Sequence, residues 1–367
     1  MNKNLLVNKI VESFNFNGEF ICENSHHVGN INDTFIVSFK DKDNIKKYII
    51  QRINHKVFTK PDKLMDNMSK ITLHISDKVK LSGGDILRKS LNLVKTKEGK
   101  HYYKTDSGEY WRAFLFIEDA STYMKVEKPY HIYEVGKALG KFQNQLSDFK
   151  AEDLYEVIKD FHNTPKRYMD FQEAIEKDIA GRVSTALVEI KYIMDRADEL
   201  SRLVNLQYDG KLPLRVTHND TKINNIMIDD NTGKAICVID LDTVMPGLSL
   251  YDFGDAIRSG CSTAAEDEVD LDKVNLDINL YENFVRGLLE ESKETLNKYE
   301  IENIAFSAKL ITIELAMRFL TDYLNGDIYF KVTSENHNLD RTRNQLKLVS
   351  DIENNFDMMN EIVSKYI

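Results

Sequence analysis

Apolar and β-branched residues cluster early in the chain in two short runs. Phe35-Ile36-Val37-Ser38-Phe39 and Tyr48-Ile49-Ile50-Gln51-Arg52-Ile53 flank the polar turn Asp41-Lys42-Asp43-Asn44, which predicts a hairpin within a strand region spanning about residues 20–53. After Pro61, placed where a helix can begin, Leu64, Met65, Met68, Ile71, Leu73 and Ile75 recur at mostly helical spacing. Ser90 to Lys95 and Tyr110 to Ile117 add two strand candidates. Beyond Glu118 the period changes: Ile132, Val135, Leu139, Phe142 and Leu146 form a helical stripe, and long helical stretches follow across 166–205, 275–298 and 301–325. The pattern predicts an α+β chain, with a small antiparallel sheet and one main helix over residues 1–117 and a larger, mostly helical part over 118–367.

One β insert interrupts the helical part. Val216 and Thr217 lead into the polar loop His218-Asn219-Asp220-Thr221-Lys222-Ile223-Asn224-Asn225. Ile226-Met227-Ile228, a turn containing Gly233, and Ala235 to Ile239 follow, ending on Asp240-Leu241-Asp242. The chain shows no internal repeat, low-complexity tract or flexible linker.

A length of 367 residues exceeds what one compact core usually holds, so two lobes with a ligand crevice between them are expected. The hydrophobic fraction of 42% and charged fraction of 29% exclude a disordered chain. A net charge of −10 argues against nucleic acid as a partner. Cys22, Cys237 and Cys261 form an odd set without metal-ligand spacing, and Cys237 falls in an apolar run that reads as a buried strand. The first nine residues contain no apolar stretch of signal-peptide length, and no segment approaches the ~20 apolar residues that span a bilayer. A cytoplasmic protein without a membrane partner is the expectation.

The polar loop carries the chemistry. Phosphoryl transfer from a nucleotide needs a carboxylate to take the acceptor's hydroxyl proton and oxygen ligands to hold Mg²⁺ against the phosphates. His218-Asn219-Asp220, with Asn225 five residues after the aspartate, has the spacing that supplies both base and metal ligand from one loop. Asp240, at the end of the next strand, offers a second metal carboxylate. Singly, each of these is an ordinary turn residue; together, with both strands intact, they point to a site. His218 is expected to brace the loop through its backbone. A zinc-hydrolase set of His218, Asp220 and Asp240 lacks the additional ligand pairs such a site requires. The acidic run Glu266-Asp267-Glu268 lacks the glycine and terminal glutamate of a calcium loop and reads as solvated surface.

The segment from Arg215 to Ser259, through Val-Ile-Asp-Leu-Asp-Thr-Val-Met-Pro-Gly and Tyr-Asp-Phe-Gly-Asp, resembles the aminoglycoside phosphotransferase and choline kinase superfamily, whose fold is related to protein kinases. Within it, the Asp-Leu-Asp-Thr-Val-Met-Pro-Gly string most closely resembles the N-acetylhexosamine 1-kinases. Gly29 to Phe35, Tyr48 to Asn54 and Glu314 to Tyr323 resemble that family's nucleotide loop, following strand and sugar-binding helix.

The resemblance implies a bilobal, protein-kinase-like fold. It implies a kinase that uses ATP and Mg²⁺ to phosphorylate the anomeric C1 hydroxyl of N-acetylglucosamine or N-acetylgalactosamine, as a monomer or weak dimer. Asp220 would be the base, and Asn225 and Asp240 the Mg²⁺ ligands. Gly29, Asn30, Asn32 and Thr34 would cradle the nucleotide, with Arg52 on its phosphates and Phe116 and Glu118 beside it. Arg318, Tyr329 and Asp242 would join Asp220 around the sugar. Asp252 would brace the loop through backbone N–H groups.

Two departures stand out. Gly29 is the only glycine in the candidate turn, and the strand lysine of relatives is replaced by Arg52, for which Asp66 is the candidate acidic partner. The alternatives are a kinase for choline, homoserine or an aminoglycoside, and a non-catalytic nucleotide- or sugar-binding relative. A cationic acceptor would call for an aromatic cage or several acidic residues, whereas Arg318 suits a neutral acetamido sugar.

Overall fold

The computed structural model describes residues 3–25, 32–126 and 128–367. The chain opens with helix α1 (Lys3–Ser13), strands β1 (Glu19–Ser25), β2 (Asp33–Asp41) and β3 (Asn44–Ile53), and helices α2 (Pro61–Leu81) and α3 (Ile86–Lys89). Strands β4 (Tyr103–Lys104), β5 (Tyr110–Leu115) and β6 (Ala120–Ser121) precede helices α4 (Pro129–Gln145), α5 (Thr164–Lys177), α6 (Leu187–Met194) and α7 (Arg202–Tyr208). The insert supplies β7 (Arg215–Thr217), β8 (Ile226–Asp229), β9 (Ala235–Val238) and β10 (Met245–Gly247). Helices α8 (Ser249–Gly260), α9 (Ile278–Ser292), α10 (Lys298–Glu302), α11 (Ile304–Leu324), α12 (His337–Asn354) and α13 (Phe356–Lys365) complete it. The class is α+β, as the pattern of apolar positions predicts.

Two compact units result. The first comprises Met1–Ser121, Glu152–Ile158 and Met227–Met245; the second comprises Thr122–Ala151, Lys159–Ile226 and Pro246–Ile367. The sequence boundary after residue 117 places the β8–β9 hairpin with the helices, but its contacts group it with the first unit. There β8 pairs with β6 as Ala120↔Asp229 and Ser121↔Ile228.

In the first unit, an antiparallel sheet runs β1-β2-β3-β5-β4. Its register pairs Thr34 with Gln51 and Gln51 with Arg112. Successive side chains alternate between faces. One face therefore carries Phe35, Val37, Phe39, Tyr48, Ile50, Trp111 and Ala113, packed with Val7, Ile10, Val11 and Phe14 of α1 in a single core. Each large apolar side chain of this set contributes about 1.5–3 kcal/mol, so a one-residue slip of β3, which would turn Tyr48 and Ile50 outward, is disfavoured. Thr34, Gln51 and Arg112 share the opposite face. α2 buries Leu64, Met65, Met68, Ile71 and Ile75.

In the second unit, α11 is buried nearly all round, and α5, α8, α12 and α13 pack against it. α4 and α9 meet through glycines: a Cβ on Gly136 would lie 2.2 Å from the Phe284 carbonyl oxygen, and one on Gly287 2.2 Å from that of Tyr133.

Some expected elements differ. Ser90 to Lys95 is an irregular edge held to β5 by Val94 N to Ala113 O and Leu115 N to Asn92 O, 2.8 and 2.9 Å. The stretch 166–205 is broken into α5, α6 and α7 with 3-10 turns between them. Leu73 is 65% exposed, whereas Thr72 and Asn67 fill the buried side of α2. Among the described residues, no helix is long and apolar enough to cross a membrane.

Candidate active site

The loop after β7 is built around a backbone that glycine would enter more easily. Asn219 holds φ 65° and is buried, in the left-handed region that asparagine tolerates better than most residues. Asp252 on α8 holds the loop there. It is 1% exposed; its Oδ2 accepts the His218 N–H at 2.9 Å and its Oδ1 the Asn219 N–H at 2.7 Å. Gln143 of α4 donates to Asp252 at 3.3 Å and to the Val216 carbonyl at 3.0 Å. Burial pushes the Asp252 pKa up, against the opposing pull of His218 and the two N–H donors.

One turn on, Asp255 accepts the Thr221 N–H at 2.9 Å and pairs with Arg258 at 2.9 Å. Burial opposes its charge, but Arg258 and Lys222 outweigh that and hold its pKa below the usual carboxylate range. His218 accepts the Asp220 N–H through Nδ1 at 3.3 Å, the bracing role expected of it, and stacks edge-on to Phe142. α8 is fixed in turn against α11 at Gly254, where a Cβ would lie 2.4 Å from the Ser307 carbonyl oxygen.

This frame presents Asp220, half-buried, with Lys222 Nζ 2.9 Å from its Oδ1. Desolvation works against the Lys222 charge, but Asp220 and Asp255 more than offset it and raise its pKa. Asn225 donates through Nδ2 to the Asp220 carbonyl and Oδ2, at 2.8 and 3.2 Å. The amide is thereby oriented, and among the described residues nothing donates to its Oδ1. The structure thus brings Asp220, Lys222 and Asn225 together in the second unit.

In the first unit, Asp240 is exposed and holds φ 58° at the start of a 3-10 turn, Leu241–Thr243. Asp242 in that turn is 4% exposed and bonds Arg112 and Asn32, the latter at 2.6 Å. Thr34 accepts from Gln51 Nε2 at 3.0 Å. Arg52 is not with them. It lies on the opposite face of the sheet, paired with Asp33 and with Glu109, the latter at 2.7 Å, while Asp66 pairs with Lys70. Phe116 lies under the Lys47 ammonium, 5.4 Å from its ring centroid, and Glu118 pairs with Lys47 at 3.2 Å. Gly29 and Asn30 lie outside the described residues.

A second cluster in the helical unit surrounds Arg318. Its guanidinium sits between two rings, 5.1 Å from Phe161 and 5.7 Å from Phe330, and no described residue hydrogen-bonds or ion-pairs with it. Arg167 donates to the Phe161 carbonyl at 3.3 and 3.1 Å. Burial, then the neighbouring Arg318 charge, lowers the Arg167 pKa. One turn before Arg318, the buried Glu314 is held by His162 at 2.7 Å and Thr164 at 2.5 Å. One turn after it, Asp322 accepts the N–H groups of Ile328, Tyr329 and Phe330 at 2.8–2.9 Å, which places Tyr329, 64% exposed, beside Phe330. Arg112, Arg167, Phe161 and Phe330 carry no sequence signal of their own, and only the fold brings them to these places.

Residues 85–286, more than half of the chain, match the phosphotransferase enzyme family. Solved structures similar in fold include two kinases and a phosphotransferase. The microcompartment-associated aminopropanol kinase has a TM-score of 0.63 at 13% identity, over 98% of this chain and 99% of that one. Spectinomycin phosphotransferase, in complex with ADP and spectinomycin, has 0.58 at 14%, over 96% and 97%. Choline kinase from Cryptosporidium parvum Iowa II has 0.59 at 12%, over 100% and 99%. At these identities the likeness is one of fold.

Proposed function

Because the chain belongs to the phosphotransferase enzyme family, we propose that it transfers the γ-phosphoryl group of ATP to a small-molecule hydroxyl, with an N-acetylhexosamine as acceptor and the sugar 1-phosphate as product. The observation that carries the transfer is the pinned loop: two backbone N–H groups bound to buried Asp252 set the position of Asp220. Asp220 accepts the acceptor's proton, and Lys222 beside it offers positive charge to the phosphoryl group in transit. Asn225 and Asp240 fit Mg²⁺ by donor type: an amide whose nitrogen is already committed to Asp220 presents its oxygen, and Asp240 is an exposed carboxylate. When bound, the ion would neutralise charge on the nucleotide phosphates.

Support for the acceptor comes from Arg318 and Arg167. Two adjacent guanidinium groups repel a cationic acceptor such as choline or an aminoglycoside. The rings that could cage a quaternary ammonium, Phe161 and Phe330, are already stacked on Arg318. A fork with free N–H donors suits the hydroxyls and acetamido carbonyl of a neutral sugar. The choice of the C1 hydroxyl rests on the family resemblance.

A coupled ADP-release assay with ATP, Mg²⁺ and a panel of N-acetylglucosamine, N-acetylgalactosamine, choline, ethanolamine, homoserine and an aminoglycoside tests the reading. Phosphorus-coupled NMR of the product identifies the hydroxyl. Turnover with an N-acetylhexosamine giving the 1-phosphate is expected. ADP release only with a cationic acceptor overturns the acceptor assignment, and binding without release overturns the transfer.

A further inference from the structure

Asp242 lies in the turn that Asp240 begins, and its partner lies far back in the chain. Arg112 Nη1 donates to Asp242 Oδ1, with side-chain exposures of only 1% and 6%. Arg112 is itself held from behind: Nε and Nη2 both donate to Gln51 Oε1, at 3.0 and 2.9 Å. The second Asp242 oxygen accepts Asn32 Nδ2 at 2.6 Å, and Asn32 Oδ1 accepts the Asn54 N–H at 3.0 Å. Asn32 immediately precedes β2, so the network joins strands β3 and β5, the Asp240 turn and the chain entering β2.

We infer that Arg112 is a positioning residue, which through Asp242 fixes both the turn bearing Asp240 and the side chain of Asn32, a residue of the predicted nucleotide loop. The inference rests on the phosphotransferase reading of those two segments. A buried ion pair is a poor source of stability, because desolvation of both charges offsets their attraction. Its effect is geometric: a guanidinium held on Gln51 by two of its N–H groups offers a third, fixed in direction, to Asp242 and so sets the position of the turn. Partners that orient a metal ligand from behind act in the same way. Arg52, paired on the other face of the sheet, cannot do this. Asp242, with each oxygen engaged, joins this clamp and does not hold the acceptor.

The test compares wild type with Asn32→Ala, Arg112→Lys and the double replacement Arg112→Met with Asp242→Leu. The double variant removes both charges, since losing one partner strands the other in the interior, whereas an apolar pair is tolerated. ATP KM, acceptor KM and the Mg²⁺ titration midpoint are measured alongside a melting curve. For a cooperatively folded double variant, the ATP KM and the Mg²⁺ midpoint should rise together by about 10- to 100-fold, with the acceptor KM unchanged. Arg112→Lys should recover part of the loss. Asn32→Ala should raise the ATP KM alone, and add nothing in the double background, because both act through Asp242. A folded double variant with wild-type values overturns the clamp and leaves the functional reading intact. If the double variant does not fold, Asn32→Ala decides, and wild-type values there overturn the clamp. Wild-type protein that neither binds Mg·ATP nor releases ADP overturns the functional reading and the clamp with it.

Discussion

Replacing Asp252 with asparagine keeps the shape of the side chain and removes its charge. The best placement of the new amide leaves Oδ1 facing the His218 N–H and turns Nδ2 toward the Asn219 N–H, a donor against a donor. One orphaned N–H costs ~1–3 kcal/mol, and the other bonds, to His218 and Gln143, each lose about 1 kcal/mol of charge assistance, for a gross ~3–5 kcal/mol. Burial already pushes the Asp252 pKa up, so the carboxylate carries a desolvation cost that a neutral amide recovers in part. About 2–3 kcal/mol remains, which a domain stable by ~5–15 kcal/mol survives. The melting temperature should fall by roughly 4–12 °C. Turnover should fall further, because Asp220 follows Asn219 directly, and a displacement of ~1 Å at a reacting group can cost about 10²-fold. Calorimetry and coupled ADP release at saturating ATP measure the two effects. A variant with wild-type kcat and an unchanged melting temperature would refute the claim that Asp252 sets the loop.

Asp220→Asn should lower kcat by about 10² to 10⁴ while titration calorimetry shows ATP affinity retained; undiminished turnover would move the base elsewhere. Arg318→Ala should cut kcat/KM for N-acetylhexosamines by about 10- to 150-fold, the loss of a ~1.5–3 kcal/mol charged hydrogen bond, without altering ATP KM; an unaffected sugar KM would remove Arg318 from the acceptor site. The Thr232 hydroxyl first, then Arg88 and the Thr232 N–H, draw the Asp229 pKa down from 3.8 to about 2. A depressed carboxylate stabilises the fold above its unfolded pKa, and that contribution is lost as pH falls from 3.8 toward about 2. Melting curves of wild type and Asp229→Asn should therefore differ at neutral pH and converge below pH ~2; a constant offset across that window would contradict the assignment.

The strands β2 and β3, the helix after Pro61, the β insert and the brace from Asp252 could all be read in the sequence, because each rests on local periodicity or on a short motif. Cys237 was legible in the same way: it is buried in β9, and burial pushes its thiol pKa up to about 12. Arg52 shows where such reading stops. Strand alternation sends Arg52 and its neighbour Gln51 to opposite sides of the sheet, and only the fold shows which side meets Arg112 and Asp242. Arg112 is one polar residue in an apolar run, and its role depends on Asp242, 130 positions later. The sequence pattern runs as one helical stretch through 166–205, because its apolar spacing continues through turns that only packing reveals. Arg318 on α11 and its rings, in the turns at Phe161 and Phe330, come from separate segments that no window of sequence joins.

Asn219 and Asp240 both hold left-handed backbone, a conformation that costs a side-chain-bearing residue on the order of 1–3 kcal/mol and that glycine adopts freely. Directed evolution scored for heat resistance alone would be drawn to glycine at both positions. A sturdier fold reached by that route would lose the Asp240 carboxylate and slacken the turn before Asp220. Libraries aimed at a robust form of this protein should hold the two codons constant and select on turnover.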